Sequence, residues 1–137
     1  GVSNFGIHHI KEILLWAEIG PCMNQIELSP FLQRRGLSNF CKEEGIVTTA
    51  YSPLTHGIRI HDERLMEIGK IYRKSAAKIL IKWSLQKDNV VIPKSTNKER
   101  IKENIEVFDF TIEQKHMEIL DALEEGFVTC WDPTTDP

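Results

Sequence analysis

VVIPKSTNKERIKEN, residues 90–104, reads as a short strand, a tight turn and the start of a helix, with basic and hydroxyl side chains crowded at the junction. Val90, Val91 and Ile92 form the unbroken apolar run expected of a parallel strand buried on both faces, and Pro93 ends it. Ser95, Thr96 and Asn97 supply candidate cap oxygens for a helix beginning near Lys98, with Ile101, Ile105 and Phe108 turned inward. A helix N-terminus presents unpaired N–H groups and the positive end of the helix dipole, so adding Lys94 and Arg100 makes a site suited to phosphate. Arg100 falls about one turn into the helix, where its planar fork can grip two phosphate oxygens at once. A capped surface helix with solvated charges accounts for the same residues.

Working back towards the N-terminus, Ser75 is the expected cap of a helix running to Gln86, with Ile79, Leu80 and Trp83 facing the core. Glu63 to Tyr72 is a second helix, with Leu65, Ile68, Ile71 and Tyr72 inward. Before it, a loop through Asp62 carries His56, Gly57 and His61 and is the place expected for a pocket rim or lid. Ile46 to Ala50 is an apolar, β-branched strand that delivers Tyr51-Ser52-Pro53-Leu54 into that loop. Phe31 to Glu44 reads as a helical connection, closed by Gly45. Cys22 to Leu28 is a strand whose Met23, Gln25 and Glu27 share one face; polar side chains there suggest a face lining a cavity. His8 to Ile19 has helical spacing, with Leu15 and Trp16 widening the apolar side, and Gly20-Pro21 stops it.

Beyond the opening stretch, Thr111 and Gln114 suggest a capping box for a last helix that buries Met117, Leu120 and Leu123, with Ile119 a further candidate. Residues 127–137 form a tail without regular pattern, so the division is a main unit, 1–126, and this tail. Strands alternating with helical crossovers indicate an α/β fold with parallel pairing. Neither GxGxxG after a strand nor GxxxxGK[ST] occurs, which leaves the (β/α)8 barrel as the better parent architecture, with ligand groups at the C-terminal ends of its strands.

The bulk numbers exclude more than they assign. In 137 residues, 41% are apolar and 27% charged, and the net charge of −3 lacks the basic face that nucleic-acid or membrane-surface binding requires. No apolar run approaches the ~20 residues of a membrane span. Cys22, Cys41 and Cys130 are odd in number and lack metal-ligand spacing, so they read as reduced thiols of a cytoplasmic protein, with no metal site expected. GVSNF, residues 1–5, looks like a strand end running into a loop, with no initiator Met, and the expectation is that further chain precedes it.

Four segments together, GVSNF, MNQIEL, TAYSPL and IPKS followed by ERIKEN, resemble the aldo-keto reductase family. Their order and spacing are similar to the second half of those barrels, so the resemblance implies a partial (β/α)8 TIM barrel: three complete parallel strands plus a strand stub. It implies reduction of aldehyde or ketone carbonyls by hydride transfer from NADPH, on a small-molecule substrate. Carried over by motif, Ser3, Asn4 and Gln25 would hold the nicotinamide carboxamide, and Tyr51 would lie against the nicotinamide ring. Ser52 and Leu54 would line the pyrophosphate path. Lys94, Ser95 and Arg100 would bind the 2′-phosphate with Thr96 and Asn97 nearby, and Glu103 and Asn104 would reach the adenine. Trp131 in the tail would help shape the substrate pocket.

The departures bear on catalysis. The family's Tyr proton donor and its supporting Lys, Asp and His belong to the half of the barrel before GVSNF, and none of those motifs occurs here. No catalytic residue is therefore assigned, and loss of acid catalysis would cost orders of magnitude in rate. Gly6 and Ser29 stand where Asn and His are expected, and the loop from Thr55 to Asp62 does not reveal a pyrophosphate clasp. The leading reading is the cofactor-binding half of an NADP-dependent reductase. The alternative is a non-catalytic NADP(H)-binding or assembly protein derived from the same family.

Overall fold

Four parallel strands lie side by side in the order in which they occur in the chain. The structure is a computed structural model that describes residues 1–136; Pro137, the end of the expected tail, lies outside the described residues. The strands are β1 (Val2–Ser3), β2 (Met23–Glu27), β3 (Val47–Tyr51) and β4 (Val90–Val91). Helix α1 (Ile7–Leu14) connects the first two strands and α2 (Arg35–Glu43) the next two. Helices α3 (Glu63–Tyr72) and α4 (Ala76–Gln86) precede β4, and α5 (Lys98–Ile105) and α6 (Gln114–Asp121) follow it. Parallel neighbours force every connection to recross the sheet, so each is helical. The result is the expected open arc of a barrel: two five-residue strands flanked by two of two residues each.

One face of the sheet carries the core. Ile26, Leu28 and Ala50 pack with Ile10, Leu37, Cys41, Leu65, Ile68, Ile79, Leu80 and Trp83 of the helices, and with Met117, Leu120 and Leu123 from α6 and beyond. Asn24 is fully buried among them and fully bonded: its side chain accepts from Phe5 N and donates to Phe5 O at 2.8 Å. Met23 and Gln25 point to the opposite, more open face, where the sequence placed its cavity-lining side chains.

Caps explain several boundaries. Ser75 accepts from Lys78 N, as expected, and Asp62 accepts from Arg64 N at the start of α3. Thr111 does not cap the last helix. Gln86 holds both backbone groups of Ile112, Tyr72 Oη accepts from Glu113 N, and the helix starts only at Gln114. Helix α1 stops at Leu14 rather than Ile19, leaving Leu15, Trp16 and Ile19 exposed. Two helical turns, about 12 Å, already recross so short a strand. Likewise α2 begins at Arg35, not Phe31, because Ser29 and Leu32 exchange backbone hydrogen bonds in a tight turn that buries Phe31.

Strand β4 is less buried than its composition suggests. Val90 is 43% and Ile92 42% exposed, because β4 has a single partner, β3. Helix α5 follows β4 and packs against α4, with Ile101, Ile105 and the following Phe108 facing outward and Asn104 and Val107 buried instead. Ile71 and Ile119 are also exposed, each on the outer side of its helix.

Two measurements follow from this packing. A Cβ on Gly69, buried in α3, would stand 2.7 Å from the backbone oxygen of Lys74. Gly69→Ala gains up to about 1 kcal/mol of helix propensity but forces an overpacked contact costing about 1–3 kcal/mol. Urea unfolding is expected to show net destabilisation. With β1 and β4 both at sheet edges, the 137-residue chain is expected to self-associate in sedimentation; a monomer with a sharp, reversible thermal transition would contradict this.

Candidate functional site

Parallel pairing brings the C-terminal ends of the strands to one edge, and the sequence-derived residues gather there. Ser3 pairs with Gln25 in register, and both Ser3 Oγ and Asn4 N donate to the Gln25 carbonyl, at 3.1 and 2.9 Å. Asn4 adopts φ 58°, which turns the chain out of β1. Tyr51 lies opposite Glu27 at the end of β3 and is half-buried. Burial first, then the nearby Glu27 carboxylate, pushes its phenol above the ordinary value. Ser52 follows at φ 47°, with Oγ 2.9 Å from His56 Nε2.

A cleft of about 910 Å³ opens beside these strand ends. Ser52, Leu54, Lys94, Ser95, Arg100, Glu103 and Asn104 line it, so seven of the sequence-derived residues meet around one space. Ser3, Asn4, Gln25, Tyr51, Thr96, Asn97 and Trp131 do not line it. Asn97 caps α5 by accepting from Arg100 N at 2.9 Å, and Ser95 Oγ accepts from Asn97 N at 3.2 Å, which sets the turn. His56, Gly57 and His61 complete the rim from the loop that the sequence marked for that purpose. Ile60, Met66, Ser75, Ala76 and Ala77 were not anticipated; they are ordinary loop and helix residues, and only the packing of α3 and α4 turns them towards the cleft.

A second cleft, about 680 Å³, is lined by residues of α2, β3 and α4. Its charged side chains already have partners: Asp121 takes Lys87 and the Trp83 indole, Asp88 takes Lys42, and Arg35, without an ion pair, donates to Gln33 Oε1 and the Asp121 carbonyl. By contrast, the Lys94 ammonium and the Arg100 guanidinium have neither an ion pair nor a hydrogen-bond partner among the described residues. Uncommitted cations facing a cleft favour an anionic ligand in the first cleft over the second.

The tail is bound more firmly than its sequence suggests. Glu27 accepts from both the backbone N–H and the hydroxyl of Thr129. Arg34 forms a two-pronged ion pair with Asp132, at 2.9 and 3.0 Å, and also donates to Thr134 Oγ1. Asp132 caps a 3-10 turn, Pro133–Thr135, a signal that the Asp-Pro pair could have supplied. Gly6 lies so close to Thr134 that a Cβ would stand 2.0 Å from its carbonyl oxygen. Trp131 remains 74% exposed at the strand-end edge. Among the described residues no group of three or more His, Cys, Asp or Glu side chains could hold a metal ion, and no helix is long and apolar enough to cross a membrane.

Residues 1–125 match the model of the aldo/keto reductase family. The chain belongs to that family. An uncharacterized oxidoreductase of Schizosaccharomyces pombe is 45% identical over all of this chain and 50% of its own length. Glyoxal reductase of Bacillus subtilis is 43% identical over 91% of this chain and 45% of that protein. A Bombyx mori aldo-keto reductase crystallised in complex with NADP superimposes with a TM-score of 0.90 at 31% identity, covering 97% of this chain and 47% of that one. The chain thus spans about half the length of the curated relatives it matches. NADP(H) is the cofactor found in aldo-keto reductase neighbours of known structure.

The tail clamp is testable at Arg34. Burial raises the Asp132 carboxyl, but hydrogen bonds from Arg34 and Thr134 and the Arg34 charge outweigh it, holding the group below the ordinary carboxylate value. A lowered folded value stabilises the clamp above the unfolded value and withdraws that support as pH falls through the folded one. At pH 7, Arg34→Ala is expected to reduce hydrogen-exchange protection at Thr134 N by about tenfold or more, from lost charge-assisted bonds worth ~1.5–3 kcal/mol. In the unmutated chain the same protection, corrected for intrinsic rate, is expected to fall below about pH 4.

Proposed function

We propose that this chain supplies the NADP(H)-holding side of an aldo-keto reductase that reduces aldehyde or ketone carbonyls of small molecules. The observation that carries the reading is the first cleft, where Lys94, Ser95 and Arg100 face the same space as Ser52 and Leu54. The donor set fits the cofactor: two cations without acidic partners and a hydroxyl suit a 2′-phosphate, whose bidentate capture is a task for the Arg100 fork. Glu103 and Asn104, on the same wall, offer an acceptor and an amide to the adenine. At the strand-end edge, Ser3, Asn4 and Gln25 are close enough to present donors and acceptors to one carboxamide, and Tyr51 offers a ring face for stacking.

When bound, NADPH supplies the hydride. The residues of this chain bind and orient it and fix which ring face is presented. Neither tyrosine is offered as the proton donor. Tyr72 is tied into the helix layer, its hydroxyl sharing a 2.6 Å hydrogen bond with His116 Nδ1 and accepting from Glu113 N at 2.8 Å. Tyr51 offers its ring as the stacking surface, and burial disfavours the charged form of its phenol. The tail, pinned by Glu27 and Arg34, sets the position of Trp131 beside the place where a carbonyl substrate would stand.

Arg100→Ala tests the phosphate assignment. Removing a charge-assisted contact to the 2′-phosphate is expected to weaken NADPH by about 10–100-fold in titration calorimetry. NADH, which lacks that phosphate, is expected to change by less than about threefold. Equal losses for both nucleotides would remove the assignment.

A further inference from the structure

We infer that the buried carboxylate of Glu27 sets which redox state of NADP(H) this chain prefers, favouring the positively charged oxidised nicotinamide over the neutral reduced one. The inference rests on the cofactor reading above and adds to it a charge at the ring end of the site, away from the phosphate cleft. Glu27 is thereby a positioning residue, acting by its charge across Tyr51 and not by contact with the cofactor.

Glu27 is the last residue of β2 and is 2% exposed. It stands opposite Tyr51 in the ladder and two residues beyond Gln25, so its side chain leaves the sheet on the face that carries both. That puts a carboxylate beside the ring on which the nicotinamide would stack and close to the amide that would hold its carboxamide. The bond to the tail uses only one of its oxygens. Oε1 accepts from Thr129 N at 2.9 Å and from the Thr129 hydroxyl, whereas Oε2 is buried without a partner among the described residues. Two donors converge on Oε1 and no acceptor meets Oε2, an arrangement that suits the ionised form.

No ion pair engages Glu27 among the described residues. Arg34 is the basic group at this edge, and its Nε donates to the Glu27 backbone carbonyl at 3.0 Å. Its guanidinium, however, is committed to Asp132 in a two-pronged ion pair and to the Thr134 hydroxyl. Glu27, Asp132 and Arg34 together therefore leave one negative charge over. The Tyr51 phenol registers that surplus: after burial, Glu27 is the largest influence pushing it up, Cys130 and Asp132 push the same way, and Arg34 alone opposes them. A buried charge is screened little by water, so a cation arriving beside Tyr51 gains more here than at an open surface. The nicotinamide ring is neutral when reduced and carries one positive charge when oxidised, and that difference is what Glu27 reads. Favouring the oxidised ring makes the bound reduced cofactor the stronger hydride donor.

Calorimetric titration of the chain with NADP+ and NADPH, which share the 2′-phosphate and differ in ring charge, reads the preference directly. Glu27→Gln removes the charge and keeps an oxygen for the Thr129 donors. In that variant the affinity for NADP+ is expected to fall by about tenfold and that for NADPH by less than about twofold. Glu27→Asp keeps the charge and is expected to hold the ratio of the two affinities within about twofold of the unmutated chain, which separates charge from packing. Asp132→Asn, which frees Arg34 to offset Glu27, is expected to shift the ratio in the same direction as Glu27→Gln and takes its place should that variant not fold. Arg100→Ala removes a phosphate contact common to both nucleotides and is expected to weaken them alike. An unchanged ratio in Glu27→Gln, or in Asp132→Asn where it stands in, overturns the Glu27 assignment and leaves the cofactor reading standing, as does an equal shift in Glu27→Asp. If the unmutated chain binds neither nucleotide, the cofactor reading fails and this inference fails with it.

Discussion

The ladder between β2 and β3, Met23 with Val47 through Glu27 with Tyr51, is the constraint from which the rest of the molecule follows. It is parallel, so the two strands end at the same edge and the chain must cross the sheet on the helix side before it can pair again. That requirement buries Ile26 and Ala50 against α2 and α4, and it leaves Gln25 and Tyr51 at the open edge. The short pairings of β1 and β4 extend the same register in both directions and add Ser3 on one side and the Lys94 turn on the other. Groups far apart in the chain thus become neighbours by pairing direction alone.

A second level of order comes from the charges laid over this edge. Glu27, at the last position of β2, is almost fully buried, and its carboxylate takes two bonds from Thr129. Arg34, in a left-handed conformation just before α2, joins the Glu27 carbonyl to Asp132 and Thr134. Partly buried bidentate pairs of this kind hold geometry better than exposed ones, because little water competes for the same donors. They convert an irregular tail into a fixed strap beside the cleft, with His56 and Cys130 in contact where strap and cleft meet.

Much of this was legible beforehand. The alternation of strands and helices, the bounds of α3 and the Ser75 cap were readable because they depend on local spacing and local hydrogen bonds. So was the chemistry of Ser52, Leu54, Lys94 and Ser95, which the structure brings to one cleft, whereas Ser3, Asn4, Gln25 and Tyr51 lie outside its lining. Errors fell where burial depends on a neighbour. Ile101 and Ile105 on α5, with Phe108 just beyond its end, make an apolar stripe, yet the stripe faces outward and Val107 is buried in its place. Thr111 has the spacing of a cap, but distant side chains, Gln86 and Tyr72, had already claimed the adjacent backbone groups.

The sequence by itself therefore determined the order of elements, most helix starts and the chemical types gathered at each turn, since these are set by residues within a few positions of one another. Only the tertiary structure decided which apolar faces are covered, which of two polar clefts keeps cations without any side-chain partner, and that the tail is clamped by Glu27 and Arg34. Those outcomes depend on contacts between residues as much as 102 positions apart, as for Glu27 and Thr129, and a periodic pattern records a face without recording what packs on it.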